Sequence, residues 1–535
     1  MGRASDKDIK ELIDKLKVFK EDGVADLLHQ CHNAIRNREH LDPAVAFDEI
    51  AKILFMKVCF ERRLVKGKYR RNLFTADFLD EQSVLHKNPV DVLFRATKEE
   101  YEADYLFADD EEIRLKLPTV REIVRMLERY NLSATSEDVK GIAFERFLGR
   151  TFRGEIGQFF TPREIVKFMI EMVDPKFGDV ICDPASGSGG FLIRFFAKVR
   201  DQILAETDAE YAAFKTEVDA NDRMTRTSKM NMIMHGDGHG GVHHWNGFLN
   251  VNGVFPGRFD VILTNPPFGA HVEPTAMVEV PEGKEWEDSQ KRYAREYGDL
   301  YRSAVARAES AKGKPIADLF ELPKRGGKTA NKLGKIKTEL LFIERCLDLL
   351  TDGEDKKPAG RLGIVLPEGV FNNPSLAFVR EFVEDREFLR AVVSLPQETF
   401  FSTGASVKAS ILFLQKFTPK EKTDYDAKQA AARAETEAKY AKEIAARTKQ
   451  LEEAIEAAKQ SRDAVASKAR QRELTDYQRA MAEKIAAESR QLLKQRFNYP
   501  VFLYEAEHVG ITATGEPDVN ELYPNDRQPP GIERT

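Results

Sequence analysis

The stretch VICDPASGSGGFL, residues 180–192, decides how the chain is read. A short apolar run ends in Asp183-Pro184. A turn of small residues follows, Ser186-Gly187-Ser188-Gly189-Gly190, and a second apolar run opens at Phe191. That order predicts a strand, a tight glycine loop and the start of a helix. A phosphate loop wants Lys and then Ser or Thr after its glycines, and Phe191-Leu192 stands there instead. A dinucleotide fingerprint wants G-x-G-x-x-G, which this spacing does not supply. Asp183 in front of the loop would repel a pyrophosphate but suits a ligand with an ammonium group, and the glycines let backbone approach it closely. Alone, the loop also fits a strand-to-helix turn with glycine for geometry only.

Working outward, short apolar runs alternate with helical patterns. Strands are predicted at DVICD (179–183), around Glu217-Val218, and at FDVILTN (259–265), RLGIVLP (361–367), AVVSLP (391–396) and ASILFLQK (409–416). IVKFMIEMV and ELLFIERCLDLL lie between them as helices. The alternation predicts an α/β fold with a doubly wound sheet, whose ligands sit beyond the carboxyl ends of the strands at the switch point. Asp183 and Asn265 each close a strand run, where such a site belongs.

Residues 1–145 carry helical spacing, as in Phe47, Ile50, Ile53, Leu54 and Val58, and predict a helical domain. The α/β unit is expected over 146–419, with a polar surface insertion, partly helical, at about 270–336. From Lys420 to Tyr499 there is neither Gly nor Pro. Two sparse stripes (Tyr440, Ile444, Leu451, Ile455; Tyr477, Met481, Ile485, Leu492) predict a helical hairpin breaking near Ser461–Asp476. Residues 500–535 form a tail, a strand-like run and then a Pro/Gly-rich end.

The chain has a net charge of −6. A protein gripping long DNA alone usually shows a basic surplus, so if DNA is the substrate a partner supplies part of the grip. The four cysteines (Cys31, Cys59, Cys182, Cys346) are scattered, which argues against a disulfide framework or a zinc site and fits a reduced cytoplasmic setting. No apolar run is long enough for a transmembrane helix, and the charged, amphipathic start lacks the apolar core of a secretory signal, so no membrane is expected.

Three further stretches give the loop a context. In TEVDANDRMTRTSKMNMIMHGD (216–237), Asp219 follows a strand seed, where a carboxylate can accept both ribose hydroxyls; alone it would equally be a helix cap. In Asn265-Pro266-Pro267-Phe268, two prolines stiffen the backbone and leave the Asn265 side-chain oxygen and the Pro266 carbonyl as convergent acceptors. Two acceptors suit an NH2 group, and the aromatic Phe268 suits a planar ring. In GQFFTPREIVKFMIEMV (157–173), Thr161 is expected to cap a helix beginning at Pro162, with Glu164 completing a capping box. Phe159 and Phe160 then stand free to cover a cofactor. The histidines of HGDGHGGVHHWN (235–246) are expected in a solvated loop without metal.

DPASGSGGF, DxNxxxxRxxxMNxxxHGD and NPPF, with GQFFTPR upstream, resemble the amino-group DNA methyltransferases. The order is that of the adenine-specific group. The resemblance is closer to the modification subunit of type I restriction–modification enzymes, running from about residue 40 to 417 and resuming at 500–515. AFDEIAKILFMKVCFERR, RLGIVLPEGVFNN and SLPQETFFSTGASVKASILFLQK carry that narrower likeness. It implies a Rossmann-like methyltransferase sheet, an all-helical N-terminal domain, long C-terminal helices and S-adenosylmethionine as cofactor. It places Phe160, Thr161 and Pro162 at the methionine end of the cofactor and counts Gln158 among the cofactor-binding residues. Asp183, Ser186, Gly187 and Gly189 would form its pocket, Asp219 would hold its ribose and Asp237 would lie near its adenine. Asn265, Pro266, Pro267 and Phe268 would hold a target adenine flipped out of double-stranded DNA.

The resemblance implies methyl transfer to adenine N6 in a bacterial or archaeal cytoplasm, within a restriction system whose separate specificity subunit reads the sequence. A restriction subunit and a second copy of the chain are further implied partners. The insertion is longer than the family pattern leads one to expect. Three alternatives stay open: a stand-alone adenine methyltransferase of another phage-defence system, a catalytically idle scaffold, and a protein or RNA methyltransferase.

Overall fold

Apolar residues at helical spacing build the amino-terminal part. The computed structural model describes residues 21–69, 71–102, 106–108, 110–133, 135, 147, 161–203, 216–220, 228, 230–232, 242–244, 248, 253–273, 275–325, 336–353, 357–401 and 406–523. Helix α1 (Glu21–Glu39) turns Val24, Leu28, Cys31 and Ile35 inward against Ile50, Ile53, Leu54 and Val58 of α2 (Pro43–Val65). Helices α3 (Ala76–Ser83), α4 (Val90–Glu100) and α5 (Leu117–Leu127) complete this core. Its buried charges are paired: Lys52 Nζ lies 2.8 Å from Glu49 Oε1, and the Glu61 carboxylate accepts the backbone N–H groups of Leu132 and Ser133 at 3.1 and 2.7 Å. An unpaired charge there would be strongly destabilising.

The second part is an eight-stranded sheet, with twelve strands in all among the described residues: β1 (Ile181–Asp183), β2 (Thr216–Ala220), β3 (Val242–His244), β4 (Val261–Thr264), β5 (His271–Val272), β6 (Ile336–Lys337), β7 (Arg361–Pro367), β8 (Glu387–Ser394), β9 (Ala409–Lys416), β10 (Phe502–Glu505), β11 (Val509–Ile511) and β12 (Pro517–Asn520). The sheet order is β10-β8-β9-β7-β4-β1-β2-β3. Only β9 runs antiparallel to its neighbours; every other pairing in the sheet is parallel. From β1 the chain moves outward through β2 and β3, then returns to place β4 on the other side of β1. The switch point therefore lies between β1 and β4.

Strand alternation sends neighbouring residues to opposite faces. Ile181, Val261 and Leu263 meet α6 (Arg163–Val173) and α7 (Gly190–Ile203) through Met169, Ile170, Leu192 and Phe195. Cys182, Ile262, Leu362 and Ile364 sit in a second core with Ile343 and Leu347 of α9 (Thr338–Leu349) and Phe382 of α10 (Ala377–Glu384). With helices on both faces, the sheet is doubly wound, as the alternation predicts.

The insertion carries its own core. Its helix α8 (Lys284–Ala311), interrupted at Gly298 (φ 55°), buries Trp286, Tyr293 and Tyr301 against Phe255. Two helices follow the sheet, α11 (Pro419–Gln460) and α12 (Ala464–Arg496), so the hairpin turns at 461–463, at the start of the predicted window. Tyr440, Leu451, Ile455 and Met481 are buried as expected, whereas Tyr477 and Leu492 are half-buried and Leu474 and Leu493 take the inner positions on α12. At the root, Phe388, Phe417, Tyr425, Phe497 and Tyr499 form an aromatic knot.

Three expectations are corrected. Residues 242–244, expected in a solvated loop, form the edge strand β3, because β2 offers them a parallel partner, with Asp219 opposite His243. Strand β8 begins at Glu387 rather than Ala391, since β9 is long enough to pair with the earlier residues. The tail adds β10 to the sheet edge and a β11–β12 hairpin that packs Val509, Ile511 and Tyr523 onto the α6 side of the core.

Candidate active site

The site grows from the ends of β1 and β4. Asp183 is the last residue of β1 and only 1% exposed. Its Oδ1 accepts the Thr264 hydroxyl at 2.6 Å and the Ala185 N–H at 3.1 Å. Burial pushes the carboxyl up to about 7, and these two hydrogen bonds oppose the shift only in part. The glycine loop then turns tightly: the Gly189 N–H donates to the Ser186 carbonyl at 2.8 Å, and the Ile193 N–H to the Gly189 carbonyl at 3.0 Å, which starts α7. Gly187 (φ 53°) and Gly189 (φ 81°) adopt the left-handed backbone that favours glycine. Ser186 is buried at the bend.

Asn265 follows β4 directly. Its Nδ2 donates to Thr161 Oγ1 at 3.0 Å, while its Oδ1 is buried and has no hydrogen-bond partner among the described residues. A buried acceptor is costly to leave unpaired. Pro266 is buried, and its carbonyl accepts no hydrogen bond among the described residues. The neighbouring Pro267 carbonyl is taken by the Thr338 hydroxyl at 2.8 Å, and the Thr338 N–H holds the Ala270 carbonyl at 3.0 Å. The first turn of α9 therefore clamps the Asn-Pro-Pro-Phe loop from behind. Phe268 is half-buried against the α6 side of the core.

The capping expectation for Thr161 is wrong. Helix α6 starts at Arg163, Pro162 holds the cap position with extended backbone (φ −54°, ψ 139°), and no side chain caps it. The Thr161 hydroxyl serves Asn265 instead, and Glu164 Oε2 accepts from Asn520 Nδ2 at 3.4 Å rather than folding back on the helix start. Asp219 lies in β2, and the pairing of Asp183 with Val218 puts it one position past the end of β1. Gln158, Phe160 and Asp237 lie outside the described residues.

The fold thus brings Thr161, Asp183, the glycine loop, Asn265 and Pro266 to one end of the sheet. Thr264 and Thr338 are the residues that sequence reasoning missed. A hydroxyl closing a strand, or opening a helix beside a Pro-Pro loop, was the signal available for each. The arrangement presents a buried, oriented acceptor for an N–H donor beside a loop of small residues next to a buried carboxyl. Among the described residues no helix is long and apolar enough to cross a membrane.

The chain matches the family model described as N-6 DNA Methylase over residues 135–297 and 333–491, more than half of its length. The break in the match, 298–332, falls within the insertion. It is similar to the methylase subunit of the type I restriction enzyme EcoEI from Escherichia coli, 27% identical over 307 residues, covering 56% of this chain and 51% of that one. It is also similar to the StySPI methylase subunit from Salmonella potsdam, 25% identical over 393 residues, covering 69% and 63%. The matched segment therefore spans about half to two thirds of these relatives. Its fold is that of the type I restriction–modification methyltransferase subunit from Streptococcus thermophilus, with a TM-score of 0.50 at 17% identity, covering 74% of this chain and 85% of that one. With the doubly wound sheet and an Asn-Pro-Pro-Phe loop at its switch point, the chain belongs to the N-6 DNA methylase family.

Proposed function

We propose that this protein methylates adenine N6 in double-stranded DNA with S-adenosylmethionine, as the modification subunit of a type I restriction–modification complex. The observation that carries the reading is Asn265: its nitrogen is held by Thr161 and its buried oxygen has no partner among the described residues. An extruded adenine offers the amino hydrogens this oxygen and the Pro266 carbonyl lack. Hydrogen bonds from both hydrogens draw the amino nitrogen toward a tetrahedral form whose lone pair is nucleophilic. Phe268 would stack on the base.

The residues fit the cofactor. Asp183 is a buried carboxyl suited to an ammonium, the glycine loop allows close approach, and Asp219, in β2 one position past the end of β1, is offered for the ribose. Phe160, Thr161 and Pro162 would border its methionine end and Asp237 its adenine, with Gln158 also among the binding residues. When bound, S-adenosylmethionine supplies an electrophilic methyl group. The chain's part is to orient the amine, exclude water and hold the sheet ends together, so catalysis is mostly positioning.

In this reading residues 146–419 are the catalytic unit, 1–145 a helical domain, and 420–499 the helices that receive the specificity subunit. The relatives' names, which are those of type I restriction enzyme subunits, support it. A restriction subunit and a second copy would complete the assembly.

The test is tritiated-methyl transfer to unmethylated DNA by the wild type and Asn265→Ala, each with and without the neighbouring specificity subunit. Label at adenine N6 only with the partner present, and lost in the variant, supports the reading. Label without a partner makes this a stand-alone enzyme. No label despite cofactor binding points to RNA or protein substrates.

A further inference from the structure

The backbone of the glycine loop is fully accounted for on one side. The carbonyls of Ser186, Gly187, Ser188 and Gly189 accept, in order, from the Gly189 N–H at 2.8 Å, Ser228 Oγ at 2.6 Å, Asn231 Nδ2 at 2.9 Å and the Ile193 N–H at 3.0 Å. The N–H groups of Gly187 and Ser188 have no acceptor among the described residues. With its carbonyls tied back to the protein, the loop turns these donors the other way. Two of the four ties come from a remote segment, 41 and 43 residues further along the chain. Ser228 and Asn231 are both 0% exposed.

That segment is itself held at two places. Residues 228 and 230–232 are helical. Met230 is buried in the core of the amino-terminal helices, and Met232 in the core between the sheet and α6–α7. The side chain of Ser228 also lies 3.7 Å from where a Cβ on Gly189 would sit, so the loop and the segment are in close contact.

We infer that Ser228 and Asn231 are positioning residues of the cofactor pocket, and that Met230 anchors them to the amino-terminal helical core. They touch no reacting atom. They hold two carbonyls so that the N–H groups of Gly187 and Ser188 face the bound nucleoside, and through Met230 the placement of the helical domain is felt at the loop. The inference rests on the proposed use of this loop for S-adenosylmethionine.

The test is calorimetric binding of S-adenosylmethionine and S-adenosylhomocysteine to the full chain, with ligand-free melting as the control for folding. Ser228→Ala and Asn231→Ala should each weaken binding about tenfold, the worth of one buried hydrogen bond. Asn231→Asp, nearly isosteric, sets a carboxylate against the Ser188 carbonyl and should weaken it more. Ser228→Thr, which keeps the hydroxyl, should stay within about threefold. Met230→Ala should weaken binding with Ser228 and Asn231 intact. In turnover assays KM for the cofactor should rise more than kcat falls, a split that general destabilisation does not produce. Should an alanine variant fail to fold, Asn231→Asp and Ser228→Thr still carry the comparison. Binding within twofold of the wild type in folded Ser228→Ala and Asn231→Asp would overturn the inference. Failure of the wild type to bind either ligand would instead overturn the proposed function.

Discussion

The Thr264 hydroxyl donates to Asp183 Oδ1 at 2.6 Å, joining residues 81 positions apart at the adjacent ends of β4 and β1. This bond sets the Asn-Pro-Pro-Phe loop against the glycine loop. Thr264→Val keeps the shape and removes the donor, leaving a buried carboxyl with the Ala185 N–H alone on Oδ1. The expected cost is about 1–3 kcal/mol, read as a lowered melting temperature, and Thr264→Ser should recover most of it. An unchanged melting temperature in Thr264→Val would show that the bond does not hold the two loops.

Asp183 also predicts a pH dependence. Its carboxyl is pushed up to about 7 in the folded chain, above its unfolded value. The native state then keeps a proton that the unfolded chain loses, so this residue's contribution to stability declines as pH rises from the ordinary carboxylate range to about 7. Asp183→Asn should be more stable than the wild type at pH 8, with the difference shrinking toward pH 4. A bound ammonium favours the ionised form, so below about 7 cofactor affinity should strengthen about tenfold for each unit that the pH rises. It should level off above that, and the slope should vanish in Asp183→Asn. Calorimetry at four pH values decides it; a flat wild-type profile would rule out Asp183 as the ammonium's partner.

The insertion is held to the sheet by Arg258. Its guanidinium lies 4.8–5.3 Å from the ring centres of Phe255, Phe259, Tyr293 and Tyr297, and it donates to the Gly253 carbonyl. Arg258→Met should cost about 2–4 kcal/mol through lost cation–π contacts and a lost hydrogen bond. Arg258→Lys should cost less but still destabilise, because an ammonium cannot stack as a plane. Limited proteolysis should cut Arg258→Met within 284–311 faster than the wild type. Equal cutting rates would mean that the aromatic residues hold α8 alone.

Asp385 is the polar pin of the helical hairpin. Its Oδ1 accepts from Tyr425 Oη at 2.9 Å, Arg490 Nη2 at 3.2 Å and Gln429 Nε2 at 3.4 Å, so it touches both α11 and α12. Glu384 adds contacts to Arg490 and Lys494 at 3.2 and 3.1 Å. Asp385→Ala should raise amide exchange near residues 425–432 and 486–494 while leaving β7 and β9 protected. In the proposed complex it should also weaken capture of the specificity subunit. Uniform protection in the variant would assign the root to the aromatic knot alone.

Much of the fold was legible because its signals are local. RLGIVLP and ASILFLQK became β7 and β9 at the predicted residues, since a continuous apolar run bounded by turn signals needs no distant information to be extended. The Gly-free, Pro-free segment became two long helices for the same reason. Strand β3 was not legible: its Val-His-His has no apolar pattern, and it is a strand only because β2 lies beside it. The buried ring of Tyr293 read as part of a polar insertion, because ten apolar and aromatic side chains from three places in the chain are needed to see that core.

By itself, the amino-acid sequence determined the order of elements, the glycine turn after Asp183, the rigid Pro-Pro loop after β4 and their common place at the switch point. Those follow from short-range sterics and from the crossover rule for parallel strands. Only the tertiary structure decided which atoms meet there. It gave the Thr161 hydroxyl to Asn265 rather than to a helix cap, the Thr264 hydroxyl to Asp183, and the loop carbonyls to Ser228 and Asn231. Each is a hydrogen bond between residues 41 to 104 positions apart. A hydroxyl or amide can satisfy itself locally or at a distance, and the packing of the whole sheet settles which partner it finds.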